Sequence, residues 1–372
     1  MKLLMFGTDM SVFAPLSPAA ERMKEYGTIF DELHIVVYTN AMNAKQEMKL
    51  SENVFVYPTN TRHKLRFFSD AEMLAKKIIR EREFDATRDA ITAQDPFETG
   101  FVALKIGGEY KLPVQIQAHT DFLSPWFSRE SFKNKFRARM GLRNIKKAVG
   151  IRVVSERIKR GLLHEGIPAE KTTVLPIIIS QKETPHTARP SSPLRFLILS
   201  RLTREKNISL ALKAFEELKK QGKLFSVIIV GDGPLKLDLI KEVRKRGLEE
   251  AVRFESWTEN PASLFAAADL YLLTSNYEGY GRTVIEAACA GTPTLMTDVG
   301  LAGDILRDGE NGFVIPVGDY RALTQKLEEL IAAPEKIAAV QKNLGSLIAI
   351  IPSREEYLRA YKAAIENLHT TN

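Results

Sequence analysis

Glu278 and Glu286 stand eight residues apart in a string that opens Ser275-Asn276-Tyr277-Glu278-Gly279-Tyr280-Gly281-Arg282 and runs on into a helical pattern. The apolar run ahead of it, 269–274, reads as a buried strand, so Glu278 belongs to the loop at that strand's carboxyl end. Gly279 and Gly281 let the backbone approach a ligand closely. The helix that follows offers free N–H groups to an anion. Glu286 lies inside that helix and can reach the same crevice. A carboxylate near a helix start also complements the helix dipole, and Gly-x-Gly also makes plain turns. It is the whole string that points to chemistry.

That string resembles the signature of the retaining nucleotide-sugar glycosyltransferases of family four, which have the GT-B fold. A second string, Ser200-Arg201-Leu202-Thr203-Arg204-Glu205-Lys206-Asn207, also resembles the family. The resemblance implies that Arg201 and Lys206 grip the donor diphosphate, where fixed cations stabilise the charge of the leaving group. It implies that Glu278 orients hydroxyls of the donor sugar. Gly279, Tyr280, Gly281 and Arg282 would line the donor, and Glu286 would accept two hydrogen bonds from the ribose diol. These two carboxylates are therefore not a glycosidase pair flanking one bond. The family retains anomeric configuration by same-face attack, with the donor phosphate helping to deprotonate the acceptor. In the first half, His119 follows a predicted strand where the family often has a histidine against the donor sugar, and Asp121 is a weaker candidate beside it. Gly7 follows the first strand, but the loop Gly7-Thr8-Asp9-Met10-Ser11 lacks the family's Gly-Gly pair, which puts its acceptor contacts in doubt. No Asp-x-Asp and no Cys/His zinc spacing occur, so no metal and no other cofactor is expected, and the nucleotide diphosphate sugar is a substrate.

The elements that must position these residues alternate between strand and helix patterns. Strands are predicted at 2–6, 33–38, 54–57, 90–93, 114–117, 151–154 and 173–175. A second series falls at 194–199, 226–230, 252–255, 270–273, 294–296 and 312–315. Between the series, the proline-rich polar stretch 181–193 reads as a linker. The expected fold class is α/β: GT-B, two Rossmann-like domains with parallel sheets facing across a cleft. Residues 1–180 would form an acceptor-binding domain, joined by a last helix within 353–372. Residues 194–352 would bind the nucleotide sugar. Val230-Gly231-Asp232-Gly233-Pro234 reads as scaffolding, because the Gly-x-Gly-x-x-Gly spacing of a dinucleotide site is absent.

The chain's 372 residues suit two domains, and its composition is that of a globular protein. The single cysteine excludes an internal disulfide and suits a reducing compartment. No apolar run reaches membrane-span length, and the N-terminus reads as a first strand rather than a signal peptide, so a cytoplasmic location is expected, peripheral on the inner face of the membrane. The net charge of +7 is local: from 129 to 160 there are twelve Lys and Arg against two Glu. Phe132, Phe136 and Met140 recur every four residues among Lys133, Lys135, Arg137 and Arg139, the pattern of a basic amphipathic helix. It serves either to pack on the domain or to meet an anionic membrane surface. No nucleic-acid fold accompanies it.

The reading is thus of a hexose-type transfer from a nucleotide sugar to a hydroxyl of a glycan or lipid-linked acceptor, in cell-surface polysaccharide or glycolipid synthesis. The alternatives are a GT-B epimerase or phosphorylase, for which no acid/base groups can be named, and a non-catalytic nucleotide-binding scaffold, against which the intact Arg201, Lys206, Glu278 and Glu286 argue.

Overall fold

A computed structural model describes residues 1–63, 66–179, 190–258 and 260–370. The chain forms two compact units, one of Met1–Leu123, Ser131–Pro176 and Ser353–Asn372, the other of Ser124–Glu130 and Ile177–Pro352.

The first unit is built on an eight-stranded sheet. Its strands are β1 (Lys2–Gly7), β2 (Glu32–Val37), β3 (Met48–Ser51), β4 (Val54–Pro58), β5 (Ala90–Ala93), β6 (Val114–Ala118), β7 (Gly150–Val153) and β8 (Thr172–Val174). They lie in the order β3-β4-β2-β1-β5-β6-β7-β8. All pairs are parallel except β3 with β4. Leu3, Leu4, Met5 and Phe6 of β1 have no exposed surface. Continuous burial is what a parallel strand covered by helices on both faces requires. Strand order reverses at β1, which sits between β2 and β5, so the ends of β1 and its neighbours open onto the sheet's switch point. The helix Pro18–Gly27 starts on Ser17, whose side chain accepts from the Ala20 N–H, with proline in the first turn.

The second unit repeats the plan with six parallel strands: β9 (Leu194–Leu199), β10 (Phe225–Val230), β11 (Val252–Glu255), β12 (Leu270–Leu273), β13 (Thr294–Thr297) and β14 (Phe313–Ile315). Their order is β11-β10-β9-β12-β13-β14. The reversal falls between β9 and β12, which pair through Phe196 with Leu270 and Leu197 with Tyr271. That one pairing brings the loops after β9 and after β12 side by side.

Three details differ from the sequence reading. The sequence reading has no strand at β3: it is a part-exposed edge strand of four residues, too short for its Met-Lys-Leu-Ser alternation to stand out, held by antiparallel pairing to β4. Most of the expected linker, 181–189, lies outside the described residues; its described end is anchored to the second unit, where Ser191 N–H and Arg195 N–H donate to Asp269 at 3.1 and 2.7 Å. Finally, Ser124–Glu130, assigned from sequence to the first domain, belongs to the second unit. The reason is aromatic packing. Phe127 meets Tyr277 edge to face at 5.4 Å between centroids, the Tyr277 hydroxyl donates to Glu130, and Trp126 covers Gly318.

Candidate functional site

In the second unit the loop after β9 is sewn to the loop after β12. The Asn276 N–H donates to the Glu205 carbonyl at 2.7 Å, and the Thr274 hydroxyl donates to the Lys206 carbonyl at 3.0 Å. Asn207 Nδ2 donates to Asn276 Oδ1 at 2.9 Å. From the other side, the Gly231-Asp232-Gly233 turn supports the β9 loop: the Leu202 N–H donates to the Asp232 carbonyl at 2.8 Å. A Cβ on Gly231 would fall on the Ser200 carbonyl oxygen. The turn is thus a brace for Arg201 and Lys206, in keeping with its scaffolding role.

This stitching sets Lys206 against Glu278. Lys206 Nζ lies 2.5 Å from Glu278 Oε1, and the Ser275 hydroxyl donates to the same oxygen at 2.7 Å. The two side chains are 16% and 14% exposed, enough to be reached from solvent and too little to move freely. One turn into the helix Arg282–Cys289, Glu286 is 9% exposed and accepts from Arg282 Nε at 2.6 Å. Burial raises the Glu286 pKa, and the Arg282 guanidinium opposes the rise. Tyr271, on β12, places its hydroxyl 3.1 Å from the Leu199 carbonyl and 2.8 Å from Thr283, locking the start of that helix to the end of β9. Arg201 stands apart from this group. It is 76% exposed and pairs with Glu205 at 3.2 Å.

The turn from Glu278 to Gly281 rests on Gly300, which the sequence reading did not single out. Gly300 has φ +56°, and a Cβ there would lie 2.9 Å from the Tyr280 carbonyl carbon and 3.1 Å from Glu278 Cβ. The Leu301 N–H donates to the Tyr280 carbonyl at 3.0 Å. The available signal was a glycine shortly after a predicted strand.

In the first unit, Gly7 ends β1 beside Gln94, whose side chain occupies the space a Cβ would need. His119 follows β6 and is half-buried; Asp121 lies two residues on, in the turn before the buried Phe122. His119 Nε2 is 2.9 Å from Gln117 Oε1, and Arg152 Nη1 donates to that same oxygen at 2.9 Å. An amide oxygen only accepts, so His119 carries its proton on Nε2. Burial, with Arg152 and Arg22 nearby, pushes the His119 pKa down to about 3, so the ring is neutral at physiological pH.

Of the basic residues expected to face a membrane, Lys133, Lys135 and Arg139 are exposed on the helix Phe132–Lys147. Arg137 is not available. Its Nε and Nη2 donate to Glu98 at 3.1 and 2.8 Å, and its guanidinium covers the Phe97 ring at 4.2 Å. Among the described residues, no group of three or more His, Cys, Asp or Glu could hold a metal ion, and no helix is long and apolar enough to cross a membrane.

Two α/β units with parallel sheets and loops of this kind define the GT-B class, and likeness to solved structures runs over the whole chain. The Anabaena HepE protein in complex with UDP and glucose matches with a TM-score of 0.73 at 21% identity, covering 100% of both chains. Sucrose-phosphate synthase from Thermosynechococcus elongatus matches with a TM-score of 0.77 at 16% identity over 98% of each chain. At such identities the likeness is one of fold. Family models go further: "Glycosyltransferase Family 4" matches residues 20–180 and "Glycosyl transferases group 1" matches residues 180–344. The two together take in most of the chain, which belongs to glycosyltransferase family 4. Among curated proteins, alpha-D-kanosaminyltransferase of Streptomyces kanamyceticus is 25% identical over 219 residues, 55% of this chain and 57% of that protein. Poly(glycerol-phosphate) alpha-glucosyltransferase of Bacillus subtilis is 33% identical over 143 residues, 38% of this chain and 21% of that protein. The chain therefore spans about half the length, or less, of these curated relatives.

Proposed function

We propose that this protein is a retaining glycosyltransferase that moves a hexose-type sugar from a nucleoside diphosphate donor to a hydroxyl of a glycan or lipid-linked acceptor. The observation that carries the proposal is the Lys206–Glu278 pair, held by Ser275 at the switch point of the second sheet beside the start of the helix Arg282–Cys289. Lys206 has three N–H donors and spends one on Glu278. The others meet the diphosphate, helped by the helix N-terminus. Arg201, exposed and paired only with Glu205 near the surface, folds onto the same diphosphate when donor binds. Glu278 accepts from the sugar hydroxyls, and Glu286 accepts from the ribose. His119, neutral with its proton on Nε2, offers Nδ1 as an acceptor to a sugar hydroxyl. Gly7 and Asp121 serve the acceptor side. No metal takes part, because cations of the chain hold the leaving group. The proposal includes a cytoplasmic enzyme, peripheral on the membrane, and excludes nucleic acid as partner. The relatives' names specify alpha-glycosyl transfer, which is the retaining outcome when the donor is an alpha-linked nucleotide sugar.

The test is thermal stability against a panel of nucleoside diphosphates and nucleotide sugars in chelator. A donor at a hundred times its dissociation constant adds about 2.7 kcal/mol. A shift confined to one uridine or guanosine donor, lost in Lys206→Ala, is the expected result. No shift with any donor would sink the proposal.

A further inference from the structure

The first unit contains a cavity of about 830 Å³ that the transfer chemistry leaves unused. Its size falls in the ~300–1,000 Å³ range of ligand pockets. Its floor is apolar: Leu112 just before β6 and Val114 at its start, Leu104 of the helix Glu98–Tyr110, and Leu368 near the end of the described chain. The helix Phe132–Lys147 supplies the rest by spacing alone. Residues 136, 140 and 144 form one stripe and 139, 143 and 147 the next, each at four-residue intervals. Phe136 and Met140 of the first stripe, and Arg139, Arg143 and Lys147 of the second, all line the cavity.

The charge is one-sided. None of the lining residues is Asp or Glu. Lys105 at the rim is paired with Glu72 at 2.7 Å. Arg139, Arg143 and Lys147 are exposed and have no ion-pair partner among the described residues. At the mouth, Phe136 is 65% exposed, and Phe132, one turn before it, is 92% exposed. Within the wall, His369 Nε2 is buried with no hydrogen-bond partner among the described residues. An apolar interior, an unmatched cationic rim and exposed aromatic rings at the opening select one kind of ligand: a hydrocarbon chain carrying an anionic head.

We propose that this cavity takes an acyl chain of an anionic phospholipid, whose phosphate is held by Arg139, Arg143 and Lys147. The protein would then hold its membrane by a seated lipid chain as well as by surface charge. The proposal is independent of the donor site, which lies in the other unit.

Calorimetric titration of the full chain with dioctanoylphosphatidylglycerol, below its micelle concentration and at low salt, tests this. Saturable binding is expected, with dioctanoylphosphatidylcholine at least tenfold weaker and inorganic phosphate giving no saturable signal. Gly108 lies on the cavity wall, and there is open space where its side chain would begin. Gly108→Leu should fill the cavity without disturbing the fold and weaken the anionic lipid at least tenfold. The triple exchange of Arg139, Arg143 and Lys147 to Ser touches only exposed positions and should abolish the preference for the anionic head. Three results would each overturn the proposal: no saturable binding of the anionic lipid, full-strength binding by Gly108→Leu, or inorganic phosphate binding as well as the lipid does.

Discussion

Arg152 in the first unit and the cations of the loops after β9 and β12 in the second are held in opposite ways. In the first, Arg152 is 3% exposed and has no carboxylate partner among the described residues. Its guanidinium donates to Gln117 Oε1 at 2.9 Å, to the Tyr357 hydroxyl at 2.7 Å and to the Leu175 carbonyl at 3.3 Å, with the Tyr357 and Tyr361 rings 5.6 and 5.2 Å away. In the second, Lys206 and Arg282 are each bonded to a carboxylate and open to solvent on one side. A cation enclosed by neutral oxygens and aromatic faces has nothing to exchange, and its role is to hold parts together. A cation at a rim, paired with a single carboxylate, can add a phosphate without first losing a buried partner. The arrangement separates a charge that fixes structure from charges to which the proposed function assigns a ligand.

The sharpest way to break this contrast is Lys206→Ala. Turnover should fall by roughly 10²–10³ with the melting temperature nearly unchanged, since the proposed function makes this part-exposed lysine a donor to the leaving group. Arg152→Met should do the reverse. It strands several buried acceptors at roughly 1–3 kcal/mol apiece, read as an earlier first transition in urea, while nucleotide binding by the second unit persists. Next in size is Gly300→Ala. The methyl group pushes on Tyr280, and a strained backbone costs about 1–3 kcal/mol; donor affinity should drop about tenfold.

The smaller effects are matters of pH. Burial holds the Glu286 pKa above its ordinary value, so donor binding should weaken on acidification sooner than a normal carboxylate predicts, and Glu286→Gln should remove that dependence. The same shift has a stability sign: folding favours the protonated form, so Glu286 contributes stability that is lost as pH rises through its folded pKa. His119 is opposite. Its pKa is depressed to about 3, so between there and about 6.5 the unfolded chain binds a proton that the native state does not. Stability of the first unit should fall as pH drops through that window. His119→Asn should flatten the fall in part, because His34, also held low by burial, remains.

Much of this was legible in the sequence because strands of parallel sheets are short apolar runs bounded by turn residues. β5, β9, β11 and β12 fall on the predicted residues, and the other strands apart from β3 within a residue or so. The Lys206 and Glu278 loops could be placed at strand ends for the same reason. What could not be read was contact between distant residues. Nothing in Trp126 or Phe127 says that they pack on Tyr277 and Gly318. Nothing in Arg152, within a strand of alternating type, says that its partner is Tyr357, 205 residues later. Gly300 does not stand out in the sequence because a glycine after a strand is commonplace, and only the nearness of Tyr280 makes it necessary.

The helix Arg354–Glu366 has a consequence for how the chain is made. Tyr357 and Tyr361 bring their rings to Tyr26, and Tyr357 brings its hydroxyl to Arg152. The unit that leaves the ribosome first therefore stays unfinished until residues beyond 353 follow, whereas the second unit is complete at 352. During synthesis Arg152 must wait, solvated, for a partner encoded 205 codons later. The order in which the two units close is the inverse of the order in which they begin.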